Sequence, residues 1–466
     1  MPDVIAMGGL NTSLLIGMQA LEATQGALNA TSNNIANANT PGYTREVAQF
    51  SENQETSAGG EVSGGGVTLD GLQSVRAELL DLQIQQQTSL QSSADTQSSV
   101  LQQIQSNFST TGGGDVASAL ASFSTSLSQL SADSSSSAAQ QGVLSAGQNL
   151  ANAFQSTASG LASAQSNAEG QVTQTVAQIN TLTAQVAQLN TQLSQLTAAG
   201  QDGGTVQDQR DELVQQLSGL TGVSVTQSSD GETITTGNGT PLVMGGQSFT
   251  LQTTTGSDGL PHVLDSNGTD ITSSLQGGQL GGAIQVGEQT IPALLTQLNT
   301  LASQFATSFN AAQAQGFDST GNAGGNFFSV PANAADAASG MSVAITSPGS
   351  IAISSDGSAG SNGNIANLSA ALTNALPSGQ TAAAAYASLV FQVGNSASNA
   401  SAQSTAIGLN LQQLTNLQGS VSAVDTNEEA TNLLRFQTAY EAAARIVSTV
   451  QQLSTVTLNM GTTGGY

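Results

Sequence analysis

The chain has no cysteine, no lysine and no tryptophan, and its 466 residues include one histidine and five cationic residues. Each scarcity excludes something. Without cysteine there are no disulfides, no thiolate metal sites and no cysteine nucleophile. The five cations, Arg45, Arg76, Arg210, Arg435 and Arg445, face 30 acidic residues, and the net charge is −25. No basic stripe can neutralise phosphates, so nucleic acid is excluded as a partner. Electrostatic docking to an anionic membrane is disfavoured for the same reason. Aromatics are 3 % and charged residues 8 %, where about a quarter charged is usual. The surface must be polar but mostly uncharged. The core must be Leu, Val, Ile and Ala, which suits closely packed helices. No apolar run reaches the ~18–20 residues that span a bilayer, so membrane insertion is not expected. No Lys or Arg precedes position 45, so a cleavable secretory signal with a basic start is not expected either. If the protein leaves the cell, another route must carry it.

Catalytic chemistry is equally thin. His262, beside Pro261, reads as a surface loop residue, and no His-Asp-Ser set is easily built around it. G-x-S-x-G and H-E-x-x-H do not occur, and the Gly-rich stretches lack the G-K-[ST] of a phosphate loop. "DSNGTD" (265–270) and "DSTGN" (318–322) lack full Ca²⁺-loop spacing and read as turns. Glu428 and Glu429 are adjacent on a helix and so point apart. They suit its first turn, where negative charge meets the macrodipole. No catalytic residue, metal or cofactor is expected, and the chain does not read as an enzyme.

What is present is periodicity. Residues 10–38 form an amphipathic helix whose stripe is Leu14, Leu15, Met18, Leu21, Leu28 and Ile35. Residues 51–71 read as an irregular, partly extended connection with alternating Val62, Val67 and Leu69. Helix returns from about 72 to 110, and a loop around Gly112-Gly113-Gly114 and Ser134 to Ser137 breaks shorter helices. In residues 160–200, Val172, Val176, Ile179, Leu182, Val186, Leu189, Leu193 and Leu196 recur about every 3.4 residues, close to a coiled-coil seam. Residues 223–286 switch to alternation, with hairpin signals at Asp230-Gly231 and Asn238-Gly239. Helix resumes at about 288–314, loop and short strand fill 316–364, and two helices follow at roughly 380–398 and 401–422. A last amphipathic helix, about 427–458, carries Leu433, Leu434, Phe436, Tyr440, Ala443, Val447 and Val450.

The expected fold is therefore mainly α with a small β insert: paired N- and C-terminal coiled-coil helices, a long helical bundle and an inserted antiparallel β domain. The domains run 1–45 (inner N-terminal helix), 46–222 (first part of the bundle), 223–286 (β insert), 287–424 (second part, with short strands) and 425–466 (inner C-terminal helix). The two terminal stripes each need a partner, and pairing the first helix with the last is the simple solution.

The first helix has a coded stop. Asn33, Asn34, Asn37 and Asn39 crowd its end, Pro41 pushes Thr40 out of the α region, and Gly42 permits a turn. Tyr43 and Arg45 follow directly.

"SNNIANANTPGYTRE" (32–46) resembles the N-terminal signature of the axial proteins of the bacterial flagellum, the rod, hook and hook-associated proteins. "GGGVTLDGLQSVRAELLDLQIQ" (64–85) and "SVSAVDTNEEATNLLRFQTAYEAAARIVSTVQQL" (420–453) resemble segments of the family's hook-associated branch. "NGTPLVMGG" (238–246) and "GFDSTGNAGGNFF" (316–328) match its middle in kind. The resemblance implies a structural axial component of the flagellum that joins hook to filament by self-assembly. It implies a location at the hook–filament junction, outside the cell, after type III export without a cleaved signal. Implied partners are other copies of the chain, the hook protein, the second hook-associated junction protein, and an export chaperone on the C-terminal helix.

The stripe residues of the two terminal helices would be the assembly interfaces. Asn37, Asn39, Thr40, Pro41, Gly42, Tyr43 and Arg45 would form the helix stop and a hinge between layers. Ala423 stands where the family usually has Gly, and "NMGTTGGY" runs past the expected helix end. Alternatives from the residues alone are another axial protein, such as flagellin or the second junction protein, or a secreted adhesin that uses the β insert.

Overall fold

The computed structural model describes residues 2–54, 56–58, 61–108, 114–228, 231–257 and 259–463. The expected loop at Gly112-Gly113 and the Asp230 half of one hairpin turn lie outside them, as do the side chain of Val62 and the last three residues.

The first helix, α1 (Pro2–Asn37), leads into strand β1 (Glu46–Glu52), a short hairpin of β2 (Thr56–Ala58) and β3 (Glu61–Ser63), and strand β4 (Val67–Ser74). β4 returns antiparallel to β1, pairing Glu46 with Ser74 and Glu52 with Val67. A register shift follows Gln49, opposite Gly71. Helix was expected from residue 72. The strand persists instead, because β1 offers Leu72 and Gln73 a partner edge that a local periodicity cannot reveal. Helix α2 (Glu78–Asn107) starts only after that pairing ends.

α3 (Val116–Ala132) is capped by Asp115, whose carboxylate accepts the amides of Ala117 and Ser118 at 2.9 and 3.1 Å. α4 (Ser137–Ala198) is a single helix of 62 residues, about 90 Å at ~1.5 Å per residue. It is the spine of the molecule and serves two cores. Its first half buries Leu150, Phe154 and Leu161 in an aromatic core, and its second half buries Val172, Val176, Ile179 and Val186 in another. The 3.4-residue seam is therefore real, but its cover is not a second long helix. It is α5 (Gly204–Leu220) and a small sheet.

That sheet has the order β5 (Val223–Ser228), β6 (Gly231–Thr236), β7 (Pro241–Met244), β8 (Gln247–Ser248), all antiparallel. A separate hairpin joins β9 (Gln252–Thr255) to β10 (Pro261–Leu264). Two α4 asparagines fasten these strands. Asn190, fully buried, donates to the carbonyls of Glu232 and Gly245 and accepts the Glu232 amide. Asn180 exchanges two 2.8 Å hydrogen bonds with the backbone of Leu251. A carboxamide can satisfy an N–H and a C=O at once, so each replaces a missing ladder partner.

The β region is shorter than 223–286. Beyond the Leu264–Asp270 bridge the chain turns helical, with α6 (Gly278–Ile284), a π turn at 285–290 and α7 (Ile291–Gln313) forming one rod.

After short strands β11 (Phe328–Ser329) and β12 (Ser342–Val343), α8 (Ile365–Thr373) was not foreseen. The pair of helices expected at 380–398 and 401–422 is one, α9 (Ala382–Ser422). Its middle, "SASNASAQ", is polar but contains neither Pro nor Gly, so nothing breaks it. α9 runs antiparallel along α2, with Gln418 bonded to Asp81 and Ser404 to Asp95. α9 ends at Ala423, whose φ of −74° and ψ of 158° suit any residue, so this turn does not require glycine. α10 (Thr426–Thr463) then returns along α1, and the tail continues as helix further than expected.

Five phenylalanines centre the first core. Phe123, Phe305, Phe309, Phe327 and Phe328 sit with ring centroids 4.8–6.2 Å apart, several edge to face. Gly147 gives them room, since a Cβ there would lie 2.6 Å from the Phe327 ring. Replacing Phe123 with Ala should cost about 3–5 kcal/mol in urea unfolding. Leu409→Ala, at a side chain 64 % exposed, should stay within about 0.5 kcal/mol.

Candidate functional site

The region with the densest specific chemistry is the joint behind the stop of α1. The helix ends at Asn37, whose side chain caps back to the Asn33 carbonyl and accepts from the Thr40 hydroxyl. The Tyr43 amide closes a turn onto the Thr40 carbonyl at 3.2 Å, with Pro41 second and Gly42, at φ +77°, third. Proline fixes one φ and glycine alone tolerates the other, the residue pattern of a type II turn. Asn39, Thr40, Pro41 and Gly42 are exposed.

Beyond the turn the chain is held from three sides. Asn34, 1 % exposed, donates to the Glu46 carbonyl at 2.8 Å. Its carbonyl oxygen accepts the Glu46 amide at 3.0 Å and the Tyr43 hydroxyl at 2.9 Å. Arg45 reaches α10, where its guanidinium pairs with Glu428 at 2.9 Å. Its amide donates to the Ser422 carbonyl at the end of α9, and its carbonyl accepts the Val75 amide. The Thr44 amide donates to Asp208 of α5 at 3.0 Å. From there charge runs inward. Arg76 bridges Asp208 and Asp211, and Arg210, 1 % exposed, joins Asp211 at 3.1 Å to Glu232 of β6 at 2.8 Å. Three of the chain's five arginines therefore converge on one joint. A cleft of about 650 Å³ opens beside it, lined by Gly42, Arg76, Asp81, Asp211, Glu232 and Gln418 among others.

Burial dominates the ionisation here. Glu46, 6 % exposed, is pushed up to about 7 by burial and then by the negative charge of Asp202. Glu232 is likewise pushed up to about 7, because burial outweighs the attraction of Arg210. Burial also raises Asp211 and Asp81, partly offset by Arg76 and Arg210 in the first case and by the Gln418 hydrogen bond in the second. Burial, followed by the charges of Glu46, Asp208, Asp202 and Glu429, raises the Tyr43 phenol.

The stripe residues divide. In α1, Leu14, Leu21 and Leu28 are half-buried, whereas Leu15, Met18 and Ile35 are 60 %, 55 % and 37 % exposed. The face that α1 buries is smaller in kind: Gly17, Ala23, Ala27, Ala30 and Thr31. A Cβ on Gly17 would lie 2.9 Å from Val447 of α10. In α10, Ala443 and Val450 are buried, Leu433, Phe436 and Val447 half-buried, and Leu434 and Tyr440 exposed. Phe436 meets Phe50 of β1 and carries the Arg435 guanidinium 4.8 Å over its ring. The two terminal helices thus partner each other within one chain, as the pairing of the first helix with the last leads one to expect. The larger apolar side chains remain outside that pairing.

Sequence reading missed Asn34 as a hub, and with it Glu46, Arg76, Asp208, Arg210 and Glu232. One signal was available: in so acidic a chain each arginine must sit where a charge is needed, and "QDQRDEL" (207–213) carries one between two aspartates. His262 lies on strand β10 rather than in a loop, half-buried and paired with Asp270. Asp265 and Asp318 accept amides two and four residues on, as turn residues do. Among the described residues no three His, Asp or Glu side chains are grouped to hold a metal, and no helix is long and apolar enough to cross a membrane.

Three family models match the chain in order. Residues 14–44 match the flagella basal body rod protein, 101–328 the flagellar hook-associated protein FlgK helical domain, and 417–460 the flagellar basal body rod FlgEFG protein C-terminal region. The ends that match rod proteins are the α1 stop and the α9–α10 joint, and the body between them matches the helical domain. The chain belongs to the axial proteins of the bacterial flagellum, and its role is structural. Flagellar hook-associated protein 1 of Bacillus subtilis (strain 168) is 29 % identical, with 97 % of this chain and 100 % of that one covered. The Escherichia coli (strain K12) protein of the same name is 27 % identical, with 95 % and 98 % covered. The structure of the flagellar hook junction protein FlgK from Burkholderia pseudomallei superposes with a TM-score of 0.66 at 20 % identity, covering 73 % of this chain and all of that one. Within the axial proteins, the family is that of hook-associated protein 1. Membership implies a place in the flagellum and assembly with other axial proteins.

Two predictions follow from the joint. Glu46 and Glu232 bind a proton more tightly folded than unfolded, so stability is full below about pH 4.5 and falls as pH rises through about 7. Asp270 and Asp356, pulled down to about 2 by hydrogen bonds, act in the opposite sense only below about pH 4. The melting temperature should therefore be higher at pH 5 than at pH 8.5; the reverse order would contradict the assignment. Arg210→Met should cost about 3–5 kcal/mol at pH 8.5, because it leaves Glu232 buried and unpaired. Calorimetry at both pH values should show a smaller loss at pH 5, where Glu232 is neutral.

Proposed function

We propose that this chain is the joint between hook and filament, built by lateral association of its α1–α10 pairs into an inner layer. The observation that carries this reading is the apolar surface left on the paired helices. Leu15, Met18, Leu434, Ile446, Leu453, Val456 and Leu458 are all at least 49 % exposed. Such a concentration on one helical pair of a −25 chain marks a surface that another protein covers. Neighbouring copies would bury Leu15, Met18 and Ile35 on one helix, and Leu434 and Tyr440 on the other. The hook protein would lie below the layer, and the second junction protein above it. Before assembly the same helix is the natural seat of an export chaperone, because Leu434, Tyr440, Ile446, Leu453, Val456 and Leu458 of α10 are exposed. Export without a cleaved signal and the absence of catalysis complete the reading.

The stop at Asn37–Gly42 then has a definite use. It ends the inner helix and turns the chain outward, while Arg45 ties the turn to the first turn of α10 so that both terminal helices leave the body together. An adhesin role for the β region has less exposed apolar surface behind it: Ile234, Leu242, Val243 and Val263 are fully buried, and Met244, at 51 %, is the large apolar side chain it exposes among the described residues.

The test is a triple substitution, Leu15→Gln, Leu434→Gln and Leu453→Gln, in cells that lack the native gene. Export of the variant to the medium, unchanged thermal unfolding of the body and loss of filaments from the hook are expected. Normal filaments and motility would overturn the reading.

A further inference from the structure

The sequence contains three Asn-Gly pairs, Asn238-Gly239, Asn267-Gly268 and Asn362-Gly363. Asparagine is a thermolabile residue. The main-chain nitrogen of the next residue can attack its side-chain carbonyl carbon, and glycine leaves that nitrogen unshielded because it has no Cβ. The reaction needs a side chain free to swing back and an amide free to lose its proton. All six residues are exposed, so exposure does not separate the pairs. Hydrogen bonding does.

The two pairs of the β region are held. Gly239 donates to the Thr236 carbonyl at 2.9 Å, and the Asn238 side chain donates to Ser274 at 2.6 Å and accepts the Thr236 and Thr240 hydroxyls. Gly268 donates to the Asp265 carbonyl at 3.0 Å, and the Asp265 carboxylate takes the Asn267 and Thr269 amides on either side, both at 2.8 Å. Its charge stands beside the amide that would have to become an anion. Asn362-Gly363 differs. Among the described residues no hydrogen bond engages the Asn362 side chain or the Gly363 amide. The carbonyl between them instead accepts the Ile365 amide at 3.1 Å. That bond polarises the shared peptide group and eases loss of the Gly363 proton. Asp356, the nearest acidic residue in sequence, is occupied by Ser354 and Ser358.

We propose that Asn362 is a site of spontaneous, irreversible modification. The Gly363 nitrogen, its proton lost to solvent, bonds to Cγ of Asn362, the side-chain nitrogen leaves as ammonia, and a succinimide ring closes. Water then opens the ring. Attack at the side-chain carbonyl leaves aspartate at 362; attack at the main-chain carbonyl leaves isoaspartate, with the chain routed through the side chain. One water enters, one ammonia leaves, and nothing is oxidised or reduced. The inference is independent of what the chain assembles with. The two products differ in consequence. Aspartate puts a negative charge just ahead of α8, where the helix dipole favours it. Isoaspartate adds a carbon to the main chain two residues before Asn364. That residue is fully buried, its side chain holds the carbonyls of Ala312 and Ala352, and its amide holds that of Ile353. There is no slack around it: a Cβ on Gly316 would lie 2.3 Å from Nδ2 of Asn364. The isoaspartyl form should therefore unfold more readily.

The test follows the full-length chain at pH 8.5 by peptide mass spectrometry that separates aspartate from isoaspartate. Position 362 should convert several-fold faster than 267, with 238 slowest. In the urea-unfolded chain the three rates should converge, since glycine follows in each case. Asn362→Gln should remove the leading product, leave the other two sites unchanged and melt with the parent. Aged parent enriched in isoaspartate should melt lower, whereas Asn362→Asp should not. Conversion at 238 or 267 ahead of 362 in the folded chain would overturn the proposal. So would an unfolded chain whose three rates are as widely spread as those of the folded one.

Discussion

Asn34 holds the chain at the one place where two helical layers must part. A helix that simply ran on would carry α1 into the body; a helix that simply ended would leave the following residues without direction. The carboxamide resolves this by taking both backbone groups of Glu46 and the hydroxyl of Tyr43 at once. It replaces the ladder partner that β1 lacks on that side, in a site from which water is excluded, where an unmet amide or carbonyl costs about 1–3 kcal/mol. The register of β1 against β4, the reach of Arg45 to α10 and the contact of Thr44 with α5 all follow from that fixed start.

The same solution recurs through the molecule. Asn180 and Asn190 pin the strands to α4. Asn310 takes the amides of Phe327 and Phe328 and the carbonyl of Phe328, and Asn364, fully buried, donates to the carbonyls of Ala312 in α7 and Ala352 in the following loop. A chain with few charges and few aromatics cannot rely on ion pairs or large rings to position its loops. Carboxamides do that work instead, each satisfying several backbone groups without the desolvation penalty of a charge. The exceptions confirm the logic. Where charge is used, at Arg45, Arg76 and Arg210, it is concentrated in the joint, and ionisation there is set by burial.

Much of this was legible in the residues. The long helices, the change of period near 223, the pairing of first helix with last and the coded stop at Pro41-Gly42 all rest on local pattern, and local pattern is what a sequence displays directly. The failures share a cause. The end of β4, residues 72–74, was read as helix because its strand partner lies some twenty residues upstream. The seam on α4 looked like a coiled coil because period alone does not say whether a helix or a sheet covers it. α9 was split because a polar stretch resembled a boundary although it held no breaker. Asn34 was read as terminal decoration because nothing in its neighbours shows that it faces inward. The stripes of α1 and α10 were found, but their division was not: small residues lead one side inward, and the larger apolar ones are left outside.

That division is itself a physical argument about how such a subunit works. If the terminal helices buried their largest side chains against each other, the pair would be stable alone and would have little to gain from a neighbour. By setting Gly17 against Val447 of α10 and burying Ala443, the pair comes close enough to hold its shape while Leu15, Leu434 and Met18 remain exposed. In the proposed assembly the intrachain contact sets orientation, and the exposed apolar area supplies the driving force, about 25 cal/mol for each Å² covered. Orientation is only useful if the body transmits it. A 62-residue helix fixed to two cores is a stiff transmitter. The joint of Asn34, Arg45 and Glu46 is where the terminal pair meets that body, so in the proposed assembly it sets the angle between the inner layer and the rest of the subunit.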